Sequence, residues 1–76
     1  MEMINVQISK TIGQNIKKHR MELGLTQTQL ANRIGNNKTT IADVESGRTR
    51  LYITNFLRYA KALECKPEDL LEGVVY

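Results

Sequence analysis

Residues 26–47, TQTQLANRIGNNKTTIADVESG, constrain the fold of this chain more than any other stretch. Two short apolar-patterned runs, Leu30-Ala31-Ile34 and Ile41-Val44, flank the tripeptide Gly35-Asn36-Asn37. Spacings of three and four residues place each set on one face of a helix. Small Ala31 lets the two helices approach, and Gly35 permits the left-handed backbone of a tight turn. Ile41 and Val44 are then expected to pack back on Leu30 and Ile34, with Lys38, Thr39, Ala42, Asp43 and Ser46 left outside. That is a helix-turn-helix, whose second helix is held out as a probe.

The flanking sequence reads as further helices. Ile8, Ile12, Ile16 and Leu23 suggest a helix from Ser9, as N-cap, to Leu23, with Gly24 as its stop. Thr26 caps the helix 27–34, Asn37 caps the helix 38–46, and Gly47 closes the latter. Thr54 is expected to cap a fourth helix carrying Phe56, Leu57, Tyr59, Ala60 and Leu63. Pro67 at a first helical position, followed by Glu68 and Asp69, predicts a fifth that ends near Gly73. The fold class expected is therefore all-α, a compact five-helix bundle.

Both ends resist that scheme. Ile4, Val6 and Ile8 alternate with Asn5 and Gln7 in a strand-like way, and Val74-Val75-Tyr76 is β-prone, so short paired terminal strands are one expectation. A frayed or helix-extending N-terminus is the other. The division expected is an arm over 1–8, a domain over 9–73 and a tail over 74–76.

Composition narrows the function. Within residues 10–50, eight Lys and Arg stand against three Asp and Glu, whereas residues 51–76 hold three against four, so the basic excess coincides with the paired helices. At 76 residues there is little room for an enzyme cleft. No nucleophile triad, glycine-rich phosphate loop or metal-ligand cluster is visible, so neither catalysis nor a cofactor is expected. Cys65 and His19 are the only soft ligands and make a zinc site improbable. The single cysteine suggests a reducing, cytoplasmic setting, and no apolar run approaches the ~18 to 20 residues of a membrane span.

From Ile12 to about Glu72 the chain resembles the DNA-binding domains of phage repressor and Cro proteins, the Xre-type, lambda repressor-like helix-turn-helix family. The resemblance lies in R-x-x-x-G-L-T-Q at 20–27, Q-L-A at 29–31, the Gly35 turn, I-x-x-V-E-x-G at 41–47 and A-x-A-L at 60–63. It implies that Lys38, Thr39 and Thr40 meet base edges in the major groove, where Lys38 donates to guanine and the threonines hydrogen-bond or touch a thymine methyl. Asp43, one turn on, could accept from cytosine N4, although many family members carry a neutral polar residue there. Gln27, with Asn37, Arg48, Arg50 and Lys17, would contact phosphate. Arg20 and Glu45 match residues that form a structural ion pair joining the first and third helices.

The resemblance further implies a repressor-like regulator that binds a pseudo-palindromic operator as a homodimer. Leu51, Tyr52, Ile53, Val74, Val75 and Tyr76 supply apolar surface where such domains usually pair. The competing expectation is an antitoxin or phage accessory factor whose main partner is another protein.

Overall fold

The computed structural model describes residues 2–76, with side chains from Val6 onward; Met1, and with it the start of the expected N-terminal arm, lies outside the described residues. The described residues form four α-helices: α1 (Glu2–Glu22), α2 (Gln27–Ile34), α3 (Lys38–Ser46) and α4 (Ile53–Ala62). A five-residue 3-10 turn, Pro67–Leu71, follows them. At 21 residues α1 is about 31 Å long. It therefore runs almost the full 33 Å of the longest dimension.

Local chemistry sets the middle of the fold. Thr26 accepts from the Gln29 backbone N–H while the Gln29 side chain accepts from the Thr26 N–H, a reciprocal capping box that fixes the start of α2. Asn37 accepts from the Thr40 N–H and starts α3. Gly35 ends α2 at φ 77° and Gly47 ends α3 at φ 76°, a region where a β-carbon is disfavoured.

The core gathers one stripe from each helix. Ile16 comes from α1, Leu30, Ala31 and Ile34 from α2, Ile41 and Val44 from α3, and Phe56, Tyr59 and Ala60 from α4, closed by Leu63 and Leu70. Gly13 lets α1 cross the end of α3, because a β-carbon there would lie 2.3 Å from the Val44 carbonyl oxygen. Asn15, two residues on, donates to the carbonyls of Leu70 and Glu72 at 2.9 and 2.8 Å and ties the end of the chain to α1.

Three expectations are corrected. The five-helix bundle is a four-helix one: the segment expected to form a fifth helix to Gly73 makes only a 3-10 turn. Its N-terminus is held by the Asp69 carboxylate accepting from the Lys66 N–H, and Leu70 enters the core with no exposed surface. No terminal strands form among the described residues, because α1 begins at Glu2 and takes the strand-like alternation into a helix that satisfies its own backbone. Ser9 is consequently inside α1 and is not its cap. The third correction concerns α4, which starts two residues early at Ile53, with Tyr52 as an N-cap that makes no side-chain hydrogen bond and Thr54 inside the helix. Leu57 is 47% exposed and lies outside the core.

Candidate nucleic-acid interface

The helix pair presents the N-termini of α2 and α3 with no acidic residue in either first turn. Unpaired N–H groups and the helix dipole make such ends favourable for anions. Lys38 and Thr39, the first two residues of α3, are exposed. Thr40 is half-buried, and its hydroxyl donates to Asn37 Oδ1 at 3.1 Å, the oxygen that also accepts from the Thr40 N–H. Thr40 is thus turned toward the cap, and Asn37 has its side-chain oxygen committed to the helix start. Asp43 is half-buried, and its backbone carbonyl accepts from the Ser46 hydroxyl and the Arg48 N–H.

Of the cations expected at phosphates, Arg48 and Arg50 lie in the connection that follows α3, both exposed. Arg50 lines a cleft of about 200 Å³ together with Asn36, Thr40 and Asn55, so the loop before α3, the probe helix and the start of α4 meet there. Lys17 is exposed on α1, outside the helix pair. Lys10, also on α1, lies under the end of α3, since a β-carbon at Gly47 would sit 2.6 Å from its Cγ.

Behind this surface sits a buried charged group. Arg20 Nε donates to Glu45 Oε2 at 2.6 Å and Arg20 Nη2 donates to Glu45 Oε1 at 3.1 Å. A third donor, Arg20 Nη1, reaches the Leu25 carbonyl at 2.7 Å. The same Glu45 Oε1 accepts from Gln27 Nε2 at 3.0 Å. One carboxylate on α3 therefore gathers α1 and the first residue of α2.

The apolar residues expected at a dimer contact fall into two sets. Ile53 and half-buried Leu51 line a depression of about 220 Å³ with Ile12, Phe56 and Leu71, and Tyr52 beside them is 66% exposed. In the tail, Val74 is half-buried while Val75 and Tyr76 are exposed.

Several contacts that shape the surface escape sequence reasoning. Arg58 Nη2 donates to the Ile34 carbonyl at 2.6 Å and caps the end of α2, and Arg33 Nη1 does the same for Ala62 at the end of α4 at 2.9 Å. Nothing in their spacing announces these pairs. Gly13 did offer a signal, an isolated glycine within a helical pattern, which often marks a close approach of backbones. Among the described residues no cluster of His, Cys, Asp and Glu could hold a metal ion, and no helix is long and apolar enough to cross a membrane.

Comparison with known proteins matches residues 16–70 to the family HTH_3, described as helix-turn-helix. An uncharacterized HTH-type transcriptional regulator of Methanothermobacter thermautotrophicus is 46% identical over 48 residues, covering 63% of this chain and 70% of that protein. Repressor protein C2 of Salmonella phage P22 is 31% identical over 65 residues, which are 86% of this chain but only 30% of the repressor. Among solved structures, the restriction-modification controller protein C.AhdI of Aeromonas hydrophila superposes with a TM-score of 0.77 at 31% identity, over 80% of this chain and 92% of that one. The P22 c2 repressor protein, solved in complex with a synthetic operator, superposes with a TM-score of 0.73 at 32% identity, over 82% and 94%.

Proposed function

The chain belongs to the helix-turn-helix family HTH_3, and on that premise we propose that it is a sequence-specific regulator of transcription that binds double-stranded DNA. In this reading α3 enters the major groove and the protein acts as a repressor-like homodimer on a pseudo-palindromic site. The observation that carries it is the start of α3: Lys38 and Thr39 project from a helix whose opposite face, Ile41 and Val44, is fixed in the core. A short helix so anchored is a rigid probe, and its first residues are those that reach base edges. The similarity to a repressor solved with a synthetic operator supports duplex DNA as the partner.

Base contacts fall to Lys38, Thr39 and Asp43 in this proposal. Thr40 contributes through its methyl group, because its hydroxyl is held by Asn37. Gln27, Arg48 and Arg50 serve the phosphates, and the acid-free N-termini of α2 and α3 add to them. Dimerisation over Tyr52, Ile53 and the tail residues Val75 and Tyr76 would place the two probe helices about 34 Å apart, one turn of duplex.

The test is selection of the purified protein against a random-sequence duplex pool, followed by titration of the winning sequence at two salt concentrations. Enrichment of a two-fold-symmetric site is the expected result. Weak, sequence-blind binding abolished by modest salt would overturn the proposal and favour a protein partner for the same exposed apolar surface.

A further inference from the structure

Glu45 occupies an unusual position for a buried acid: its side chain is 4% exposed, yet only one of its oxygens is reserved for Arg20. Oε1 is shared between Arg20 Nη2 at 3.1 Å and the side-chain amide of Gln27 at 3.0 Å. Gln27 is half-buried at the first position of α2. A carboxylate has no proton to give, so it can face only the NH₂ end of that amide, and the usual freedom of a glutamine to turn over is removed. One amide N–H goes to Glu45, leaving one N–H and the amide oxygen for anything outside.

From this we infer that Glu45 is a positioning residue for Gln27, holding its remaining N–H at the start of α2 as a preset donor for a DNA phosphate. The inference rests on the reading of Gln27 as a phosphate contact given above. A glutamine loses considerable rotamer freedom when it is immobilised, and a side chain fixed in advance does not lose it again on binding. Gln27 is itself the first residue of α2, and the N-terminus of that helix favours an anion at the same end. Lys38 could not replace Glu45 in this role, since an ammonium has no acceptor. Arg20 acts one step further back, anchoring the carboxylate and, through the Leu25 carbonyl, the loop that delivers Gln27.

Two measurements on the full chain test this. The first is NMR of the Gln27 side-chain amide in the free protein. It should be shifted from random-coil values and as ordered as the backbone of α2; a mobile amide at random-coil shifts would overturn the inference. This readout requires no variant and survives if changes at Glu45 prevent folding. The second is a double-mutant cycle of Gln27→Ala and Glu45→Gln, with affinity measured on the duplex selected above and corrected for the folded fraction. Glu45→Gln should weaken binding about tenfold in the parent and have almost no effect in the Gln27→Ala background. Equal losses in both backgrounds would mean that Glu45 serves the fold alone. Parent-like affinity in Gln27→Ala, with sequence preference kept, overturns the positioning role and leaves the DNA-binding proposal standing. A parent protein that selects no duplex removes both.

Discussion

Arg20 and Glu45 lie 25 positions apart, yet Arg20 Nε approaches Glu45 Oε2 to 2.6 Å in a buried contact between α1 and α3. Both residues are buried, at 8% and 7% exposure. Burial makes the pair asymmetric in its consequences, because removing one partner strands a charge away from water whereas the intact pair largely offsets its own desolvation. Arg20→Met and Glu45→Leu should each lower unfolding free energy by about 3 kcal/mol. The double replacement Arg20→Met with Glu45→Leu should recover most of that loss. Urea unfolding of the three variants checks this, and additive losses in the double variant would show that the pair contributes no buried, coupled interaction.

Gly13 provides a test of how α1 meets α3. Its missing β-carbon would sit 2.3 Å from the Val44 carbonyl oxygen and 2.7 Å from that of Glu45. Alanine ordinarily favours a helix interior by about 0.5 to 1 kcal/mol over glycine. Here the obstacle is backbone and cannot rotate away, so Gly13→Ala should destabilise by roughly 1 to 3 kcal/mol. A variant as stable as the parent in thermal unfolding would mean that the crossing is looser than described.

The two ends of α3 and its connection should respond differently to loss of charge. Lys38→Ala is expected to weaken binding to the selected duplex by about 1 to 3 kcal/mol and to relax preference at one base pair. Arg48→Ala should weaken all sequences alike and flatten the dependence of log affinity on log salt by about 0.9. Titration of both variants on selected and scrambled duplexes separates the roles. Equal loss on both duplexes for Lys38→Ala would make it a phosphate contact.

The centre of the molecule was legible because its signals are local. Thr26 with Gln29, Asn37 with Thr40, and Gly35 and Gly47 are decided by neighbours three or four residues away, and the structure places a cap or a left-handed turn at each. The periphery depends on partners that spacing cannot reveal. Val6 and Ile8 fit a strand by alternation, but Ile8, Ile12 and Ile16 also recur at four-residue intervals, and the helix prevails by satisfying its own backbone. Thr54 is the better capping residue, yet α4 starts after Tyr52, where Phe56 and Tyr59 reach the core. In the candidate site, the exposed start of α3 could be read from its polarity. The sharing of Glu45 Oε1 by Gln27 and Arg20 could not, since it depends on where three helices converge.

Tyr59 links the core to pH. It is 2% exposed, and its hydroxyl has no hydrogen-bond partner among the described residues. Burial, and then the nearby charge of Glu45, push its pKa up from 10.0 to about 12. In the unfolded chain the phenol ionises near 10. Between the two values the unfolded state therefore holds fewer protons than the folded one, and stability falls as pH rises. The contribution is fully present below pH 10 and disappears as pH passes about 12. By linkage a shift of that size amounts to about 3 kcal/mol. Tyr59→Phe removes the titrating group and an unsatisfied hydroxyl together, so it should be within about 1 kcal/mol of the parent at pH 7. Urea unfolding at pH 8, 10 and 11 should then show the parent losing stability more steeply than the variant. Parallel profiles would mean that the phenol ionises equally easily in both states, and that solvent reaches it in the folded protein.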